Sequence, residues 1–190
     1  ILAMSYEHGV PINSNAIMML SQERRNTLAL NSLEICCREV FEWGEMQTDP
    51  NFGNYLVRLG DGTTPDQIIL LDFGAVRDFP NDLLKLARTL TKASVLRDRE
   101  NLVSSMKGFS FFDEMGIENK KKIAEVCLLA VEPFTQLKDS PKETISEDGK
   151  YIWAKSNLHT RVLMQATKSA ANREFSVPPK ELMFISRKFI

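Results

Sequence analysis

Three polar side chains constrain this chain more than any other feature: Asp49, Asn54 and Asp72, which lie between Gly44 and Gly74. Asp49 and Asn54 are the first and last residues of the run DPNFGN, and Asp72 begins a DFG run that directly follows an apolar stretch. Each run alone is more often an ordinary turn, because Asp, Asn, Pro and Gly favour turn conformations. The order of the runs, with strand, loop and strand between them, instead indicates a site where their oxygens converge.

Phosphoryl transfer uses side chains of this kind. The reaction needs a carboxylate that orients the attacking oxygen, and oxygen ligands that hold Mg²⁺ on the phosphates of ATP. Asp49 can supply the catalytic base, while Asn54 and Asp72 can supply the Mg²⁺ ligands. The two runs therefore predict the catalytic and metal loops of a protein-kinase-like lobe that binds ATP and Mg²⁺.

The residues around these positions carry a closer resemblance. The runs MQTDPN at 46–51 and LLDFGAVR at 70–77 closely resemble the UbiB-like family of atypical kinases, which is associated with ubiquinone biosynthesis. Gln47 and Thr48 stand where ordinary kinases carry His-Arg, as in that family. The resemblance covers nearly the whole chain but only the second half of the family's domain. It implies an ATP-dependent phosphotransferase or ATPase in quinone-lipid biosynthesis, with a quinone-like lipid or lipid-biosynthesis proteins as partners.

Two other interpretations remain open beside the enzyme. One is a non-catalytic kinase-like scaffold that binds a protein or lipid partner. The presence of all three polar residues favours the enzyme, because a degenerate site would be free to lose one of them. The other is an all-helical interaction domain with an incidental hairpin, which leaves Asp72 unexplained at the end of an apolar strand.

The predicted fold class is mainly α with a small β-hairpin, a protein-kinase-like C-terminal lobe that takes in residues 1–190. Residues 44–74 are interpreted as the catalytic and metal loops, and residues 80–190 as a helical subdomain. A helix is expected soon after Gly74, where ordinary kinases carry a long activation segment and an Ala-Pro-Glu. This leaves no room for a peptide platform and favours a small-molecule or lipid-linked substrate, or plain ATP hydrolysis.

Residues 1–9 are interpreted as a short buried strand that leads into the hinge of a kinase. The backbone of Ser5, Tyr6 and Glu7 would then face the adenine, and Met4 would hold the gatekeeper position. His8 is expected to be an ordinary turn residue, since no second His or Cys lies near it in sequence.

The parts of a kinase that clamp the α- and β-phosphates are not found in the sequence. No Gly-rich loop and no lysine strand precede Met4, and the Lys-x-Gly-Gln segment and Ala-rich loop of the UbiB-like family are also missing. We therefore expect an N-terminal lobe to precede Ile1 in the natural protein. The chain by itself is expected to bind nucleotide weakly, with little or no turnover.

The hydrophobic pattern predicts a hairpin and a series of helices. The hairpin joins residues 55–58 and 67–71, and the helices are expected at 15–21, 23–43, from about 80, and at 101–106, 118–134, 157–171 and 180–190. The second helix is expected to be buried almost all round its C-terminal half. The charged stretch 137–150 is expected to be a mobile surface loop.

Four further expectations concern single side chains. Asp61 and Asp66 are expected to be solvated at the tip of the hairpin, and Arg161 is expected to face outward from the helix at 157–171. The apolar stripe of the helix at 118–134 is expected on Ile123, Val126, Cys127 and Ala130. The last expectation is a core cluster, rather than a lipid-facing patch, formed by Phe109, Phe111, Phe112 and Met115.

The composition bears on whether the chain binds nucleic acid and on the cellular compartment it occupies. With 24 Lys and Arg against 25 Asp and Glu, the chain has a net charge of -1 and offers no general reason to bind nucleic acid. Its three cysteines form neither a disulfide framework nor a metal spacing, which fits a reducing compartment. No apolar run approaches the ~20 residues that span a bilayer. A cytoplasmic location is expected, with peripheral membrane association and oligomeric state left open.

Overall fold

The computed structural model describes residues 5–135 and 140–170. Within these residues the chain divides into two compact units, the first up to Asn81 and the second from Asp82 onward. Both units consist mainly of helices, and the first also contains two small antiparallel sheets. The mainly helical class with a small hairpin is thereby confirmed, while assignment to a kinase C-terminal lobe stays a prediction.

Five short strands form the two sheets of the first unit. They are β1 (Val10–Pro11), β2 (Glu45–Gln47), β3 (Tyr55–Arg58), β4 (Gln67–Leu70) and β5 (Val76–Asp78). The first sheet has the order β1-β3-β4, and its β3–β4 hairpin pairs Tyr55 with Leu70 and Arg58 with Gln67. The second sheet pairs β2 with β5. The sequence predicted the hairpin correctly, but it predicted neither β1 at these residues nor the β2–β5 sheet.

The helices of the first unit are α1 (Asn15–Met18) and α2 (Gln22–Arg38). Ser21 caps α2 because its hydroxyl accepts a hydrogen bond from the backbone N–H of Arg24. After α2 the chain continues into a π-helical turn, Glu39–Trp43, which ends at Gly44 with a left-handed φ of 74°. The helix predicted at 15–21 is therefore shorter, and the one predicted at 23–43 is regular only up to Arg38.

The burial of α2 differs from the expectation. In the C-terminal half of the expected helix, Val40 of the π-helical turn is buried, whereas Trp43 of the same turn is 50% exposed. One face, rather than the whole circumference, packs on the unit. Leu28 belongs to the core of the first unit together with Ile17 and Val57.

Ser5 to Gly9 form no strand, and both Ser5 and Tyr6 are exposed. The buried strand expected here is therefore wrong for the described residues, and Ile1 to Met4 lie outside them. Glu7 forms an ion pair with Arg58 of β3, which attaches this segment to the hairpin. Among the described residues, the first that lie in a strand are those of β1, Val10 and Pro11.

The tip of the hairpin contains a second correction. The side chain of Asp66 is only 5% exposed and accepts two hydrogen bonds from the Arg24 guanidinium, at 2.5 and 2.9 Å. It also accepts one from the backbone N–H of Gly60 at 2.8 Å. Asp66 is thus a buried link between hairpin and α2 rather than a solvated turn residue. Asp61 is exposed, as expected.

The second unit consists of helices and short turns. The helices are α3 (Asn81–Val95), α4 (Arg99–Ser104), α5 (Ser110–Asp113), α6 (Ile117–Ala130), α7 (Trp153–Ser156) and α8 (Leu158–Ala170), with 3₁₀ turns at Glu132–Phe134 and Lys142–Thr144. The core contains the following buried residues: Leu86, Ala93, Leu102, Met106, Phe112, Met115, Ala124 and Leu128. Phe109 and Phe111 pack against it. The predicted aromatic core cluster is confirmed.

Two helix faces differ in part from the sequence expectation. Of the stripe expected on α6, Ile123 and Cys127 pack against the core and Ala130 is exposed, while the buried positions are Asn119, Ala124 and Leu128. On α8, Arg161 does not simply face outward. Its guanidinium donates to Glu132 at 2.6 and 3.0 Å, and the carboxylate of Glu132 is buried.

The charged stretch expected to be mobile is ordered from residue 140 onward. Thr144 is 1% exposed, and its carbonyl accepts a hydrogen bond from the N–H of Ile152 at 2.7 Å. Ile145 and Tyr151 form an isolated bridge. The Tyr151 hydroxyl then donates to Glu132 at 2.9 Å, so this stretch is held by the same carboxylate as α8. Residues 136–139 and the helix expected at 180–190 lie outside the described residues.

Candidate active site

The β2–β5 sheet brings the two predicted loops together. Gln47 pairs with Val76 at the end of β2, immediately before the loop that carries Asp49. Thr48 extends this pairing, because its backbone N–H and its hydroxyl both donate to the carbonyl of Ala75, at 3.1 and 2.8 Å. The loops predicted to be catalytic and metal-binding are therefore joined directly by hydrogen bonds to the backbone.

Asp49 and Asn54 are in direct contact. The side-chain amide of Asn54 donates to Asp49 Oδ2 at 3.0 Å, and both residues are partly buried. Between them, Asn51 Oδ1 accepts from the N–H of Gly53 at 2.9 Å and caps the 3₁₀ turn Phe52–Asn54. This turn folds the loop back so that its first and last residues meet.

Asp72 is held from the other strand of the hairpin. The N–H of Leu71 donates to the carbonyl of Asn54 at 3.0 Å. Asp72 is the next residue after Leu71, so this hydrogen bond brings it near Asn54. Its own Oδ1 accepts from the N–H of Gly74 at 2.7 Å, and the Asp72 side chain is exposed. A Cβ at position 74 would lie 3.1 Å from that oxygen, so glycine leaves the carboxylate room to bend back over the turn.

Gln47 connects the two loops through its side chain, a role that the sequence analysis missed. Its amide N–H donates to the carbonyl of Asp72, and its Oε1 accepts from the N–H of Asp49 at 3.2 Å. Gln47 is 5% exposed, and its own backbone N–H donates to Glu39 Oε1 at 3.2 Å. The position of Gln47 could have indicated this role, because it stands two residues before the predicted base Asp49, where ordinary kinases have His.

Tyr55 lies next to the loop that carries Asp49 and Asn54, at the start of β3. Burial, followed by the charges of Glu39, Cys36 and Asp49, raises the pKa of Tyr55, the first residue of β3. Its phenol is accordingly neutral at neutral pH.

Asn54 and Asp72 are the predicted ligands for Mg²⁺, an amide and a carboxylate. Among residues 5–135 and 140–170, no group of three or more His, Cys, Asp or Glu side chains is arranged to hold a metal ion. Mg²⁺ is usually bound by one or two carboxylates together with substrate phosphates and water. Because Asn54 Nδ2 points to Asp49, its Oδ1 is the amide atom left to act as a ligand, alongside the carboxylate of Asp72.

The predicted hinge residues Ser5, Tyr6 and Glu7 belong to the first unit, where the described contacts are made by the side chains of Glu7 and Tyr6. Glu7 is bound to Arg58, and the ring of Tyr6 packs edge-on against His8 at 4.8 Å between centroids. The hinge prediction concerns the backbone of Ser5, Tyr6 and Glu7, and it stays a prediction.

A groove of about 770 Å³ lies elsewhere, between α4 and α6 of the second unit. Val103, Ile117 and Ala124 line its apolar part, and Lys107 and Lys120 lie on it together with several acidic residues. None of the predicted site residues contributes to this groove. Its size alone gives it no role in phosphoryl transfer.

A two-stranded ladder joins the Asp/Asn loop to the DFG loop, as the kinase-like interpretation of the sequence requires. Comparison with known proteins identifies the family: the ABC1 atypical kinase-like domain matches residues 1–106, and the chain belongs to this UbiB-like family of atypical kinases.

Individual relatives extend the similarity along the chain. The zebrafish (Danio rerio) protein named atypical kinase COQ8B, mitochondrial, is 34% identical over 111 residues, which is 58% of this chain and 17% of that protein. The probable serine/threonine-protein kinase abkA of Dictyostelium discoideum is 29% identical over 192 aligned residues, 99% of this chain and 32% of that protein. Atypical kinase COQ8, mitochondrial, of Saccharomyces cerevisiae is 29% identical over 170 residues, 89% of this chain and 31% of that protein.

The chain thus spans less than a third of the length of these curated relatives. In the part of the chain that the structure describes, no helix is long and apolar enough to cross a membrane. The COQ8-type relatives are named as mitochondrial proteins, so the cytoplasmic location expected from the sequence stays a prediction for this chain.

Proposed function

We propose that this chain forms the C-terminal lobe of an ATP-dependent phosphotransferase or ATPase, with the chemistry on the loops at 49–54 and 72–74. The observation that supports it most directly is the 3.0 Å hydrogen bond from Asn54 to Asp49. It places a carboxylate and an amide side by side at the end of β2, and the same strand end contacts Asp72. An incidental turn has no need for this arrangement.

The proposal assigns the chemistry to three polar side chains. Asp49 orients the attacking hydroxyl or water and accepts its proton, while Asn54 fixes the Asp49 carboxylate through its amide. Asn54 Oδ1 and the Asp72 carboxylate are the groups that would hold Mg²⁺. Bound Mg²⁺ and ATP would supply the transferable phosphoryl group and neutralise the charge that develops during transfer.

The substrate class follows from what comes after Gly74. The helix α3 begins at Asn81, which leaves only β5 and a short connection in place of a long activation segment. A peptide substrate needs such a segment as its platform. We therefore propose a small-molecule or lipid-linked acceptor, or water, and a role in quinone-lipid biosynthesis such as the family resemblance implies. Adenine contact by the backbone of Ser5, Tyr6 and Glu7 completes the proposed nucleotide site.

The test uses Asp49→Asn and Asp72→Ala in the full-length protein, with Asp61→Asn at the exposed hairpin tip as the matched control. Calorimetry would measure ATP and ADP binding with Mg²⁺ and after its removal by a chelator, and a coupled assay would measure ATP consumption. Asp49→Asn should lower the rate of ATP consumption by about 10²-fold or more, the effect of losing a general base, and should leave nucleotide binding intact. Asp72→Ala should abolish the Mg²⁺-dependent part of binding.

Two results would contradict the proposal. Unchanged turnover in Asp49→Asn would remove this carboxylate from the chemistry. Absence of Mg²⁺-dependent nucleotide binding and turnover in the wild-type full-length protein would favour the non-catalytic scaffold instead.

A further inference from the structure

We propose that Gln47 is a positioning residue that couples the catalytic loop to the metal loop, so that Asp49 and Asp72 keep a fixed mutual geometry. This inference rests on the proposed function, because it assigns Gln47 a role in the chemistry of that site.

The side chain of Gln47 uses both of its ends. Its Nε2 donates to the carbonyl of Asp72, and its Oε1 accepts from the N–H of Asp49 at 3.2 Å. One amide thus holds the backbone of the residue proposed as base and the backbone of the residue proposed as metal ligand. The two positions are 23 residues apart in the sequence, and the hairpin lies between them.

Because Gln47 is buried, losing either of these hydrogen bonds is costly. Gln47 is 5% exposed, and the neighbouring Met46 and Thr48 are 0% and 6% exposed, so the amide has little access to water. A buried amide that loses a partner pays the cost of desolvation without compensation. The loops are therefore most stable in the arrangement that satisfies both ends of Gln47.

The support continues into α2. The backbone N–H of Gln47 donates to Glu39 Oε1 at 3.2 Å, and Glu39 opens the π-helical turn at 39–43. The N–H of Gly44 closes that turn on the carbonyl of Glu39 at 2.9 Å, which starts β2 at the following residue. Such wide turns are frequent at functional sites. Glu39, Gln47 and the two loops form one continuous set of hydrogen bonds.

An ordinary buried glutamine would also satisfy its hydrogen bonds, so the test must separate positioning from simple stability. Three substitutions at Gln47 remove different parts of the contact. Gln47→Met keeps the shape and removes both bonds, and Gln47→Glu keeps an acceptor for the Asp49 N–H but removes the donor to Asp72. Gln47→His restores a ring N–H donor at the position where ordinary kinases have His.

The controls separate general effects from local ones. Gln67→Met makes the same chemical change at an exposed glutamine of β4, and Ile17→Val lowers the stability of the first unit without touching either loop. All variants would be made in the full-length protein and assayed at a temperature where thermal melts show them folded. Two quantities would be measured: ATP turnover as a function of Mg²⁺ concentration, and hydrogen exchange of the Asp49 amide with no nucleotide present.

Gln47→Met should lower turnover roughly 10- to 100-fold and raise the Mg²⁺ concentration for half-maximal rate, which is the usual effect of removing a group that orients metal ligands. Its Asp49 amide should exchange faster than in the wild type. Gln47→Glu should keep that amide protected yet still need more Mg²⁺, and Gln47→His should recover part of the activity lost in Gln47→Met.

Several outcomes would overturn the inference. If Gln47→Met changes turnover and Mg²⁺ dependence no more than Ile17→Val does, Gln47 acts on stability alone. Unchanged exchange of the Asp49 amide in Gln47→Met would mean that this side chain does not hold the loop. If Asp49→Asn abolishes turnover while Gln47→Met leaves it intact, the proposed function stands and only the role of Gln47 falls. A wild-type protein without Mg²⁺-dependent turnover would overturn both.

Discussion

The Glu132–Arg161 ion pair allows a stability prediction in which pH provides an internal control. Glu132 lies in the 3₁₀ turn after α6, and its carboxylate accepts two hydrogen bonds from Arg161 of α8 and one from Tyr151. The side chains of Glu132 and Arg161 are 8% and 32% exposed. The substitution Glu132→Gln keeps the size of the side chain and removes its charge.

The magnitude follows from burial. Removing one member of a fully buried pair costs roughly 3–5 kcal/mol, because the other charge is left without compensation. A third of the Arg161 side chain reaches solvent and can rehydrate, so the cost should fall toward the range of partly exposed pairs. We expect the free energy of unfolding of the second unit to drop by about 2 kcal/mol at neutral pH.

The dependence on pH has a definite sign. Burial by itself would raise the pKa of Glu132, but hydrogen bonds from Arg161 and Tyr151 outweigh it and hold this pKa below its ordinary value. A carboxylate with a lowered folded-state pKa stabilises the protein above its unfolded pKa, about 4.3 for Glu, and loses this contribution as pH falls through the folded pKa. The difference between wild type and Glu132→Gln should therefore be full at pH 7 and shrink below about pH 4.

Urea denaturation would measure this difference, followed by fluorescence of Trp153 in a Trp43→Phe background. The ring of Trp153 lies 5.4 Å from that of Tyr151, so its signal reports on this part of the second unit. The matched control is Glu125→Gln, because its pair with Arg99 is exposed and should contribute less than about 1 kcal/mol. An equal loss in both variants, or a loss that does not change between pH 7 and pH 3, would refute the reasoning.

Two further predictions concern the hairpin tip. Asp66→Asn removes the charge that pairs with Arg24 and should lower the urea midpoint of the first unit. The pKa of Asp66 is lowered, chiefly by its hydrogen bond from Arg24, so this loss should shrink as pH falls below the unfolded pKa of about 3.9. A loss that does not shrink with falling pH would contradict the assignment. Gly60→Ala places a Cβ 2.0 Å from the carbonyl oxygen of Thr64 and should cost roughly 1–3 kcal/mol in the same titration, whereas an unchanged midpoint would mean that the turn rearranges freely.

Local sequence signals were sufficient for the hairpin and for two boundaries beside the candidate site. The β3–β4 hairpin, the end of the π-helical turn at Gly44 and the start of α3 near Asn81 all follow from turn residues and hydrophobic period. The contact between Asp49 and Asn54 agrees with the predicted loop, because both residues belong to one short run. The catalytic and metal roles themselves stay predictions.

What the sequence could not supply are the long-range pairings. The β2–β5 sheet joins two three-residue strands too short for an alternating pattern, and it forms because the hairpin returns the chain to the same place. Polar side chains were also misjudged at Asp66 and Arg161, since a charged residue in a turn or on a helix is normally solvated. Each is held by a partner far away in sequence, Arg24 in one case and Glu132 in the other.

The backbone contact between Thr48 and Ala75 closes a loop of the chain, and the two residues are 27 positions apart. Inside that closure, Asp66 bonded to Gly60 closes a second, smaller ring that isolates the outermost turn. The entropy of loop closure grows only slowly with length, by about 0.6 kcal/mol for each doubling. Extra residues beside Gly62, which is exposed and has a left-handed φ of 97°, would lengthen the outer turn and leave both closures in place. This turn is therefore a suitable insertion point for a fluorescent or affinity tag, and equally a place where the chain could gain a new segment during evolution without disturbing Asp49 or Asp72.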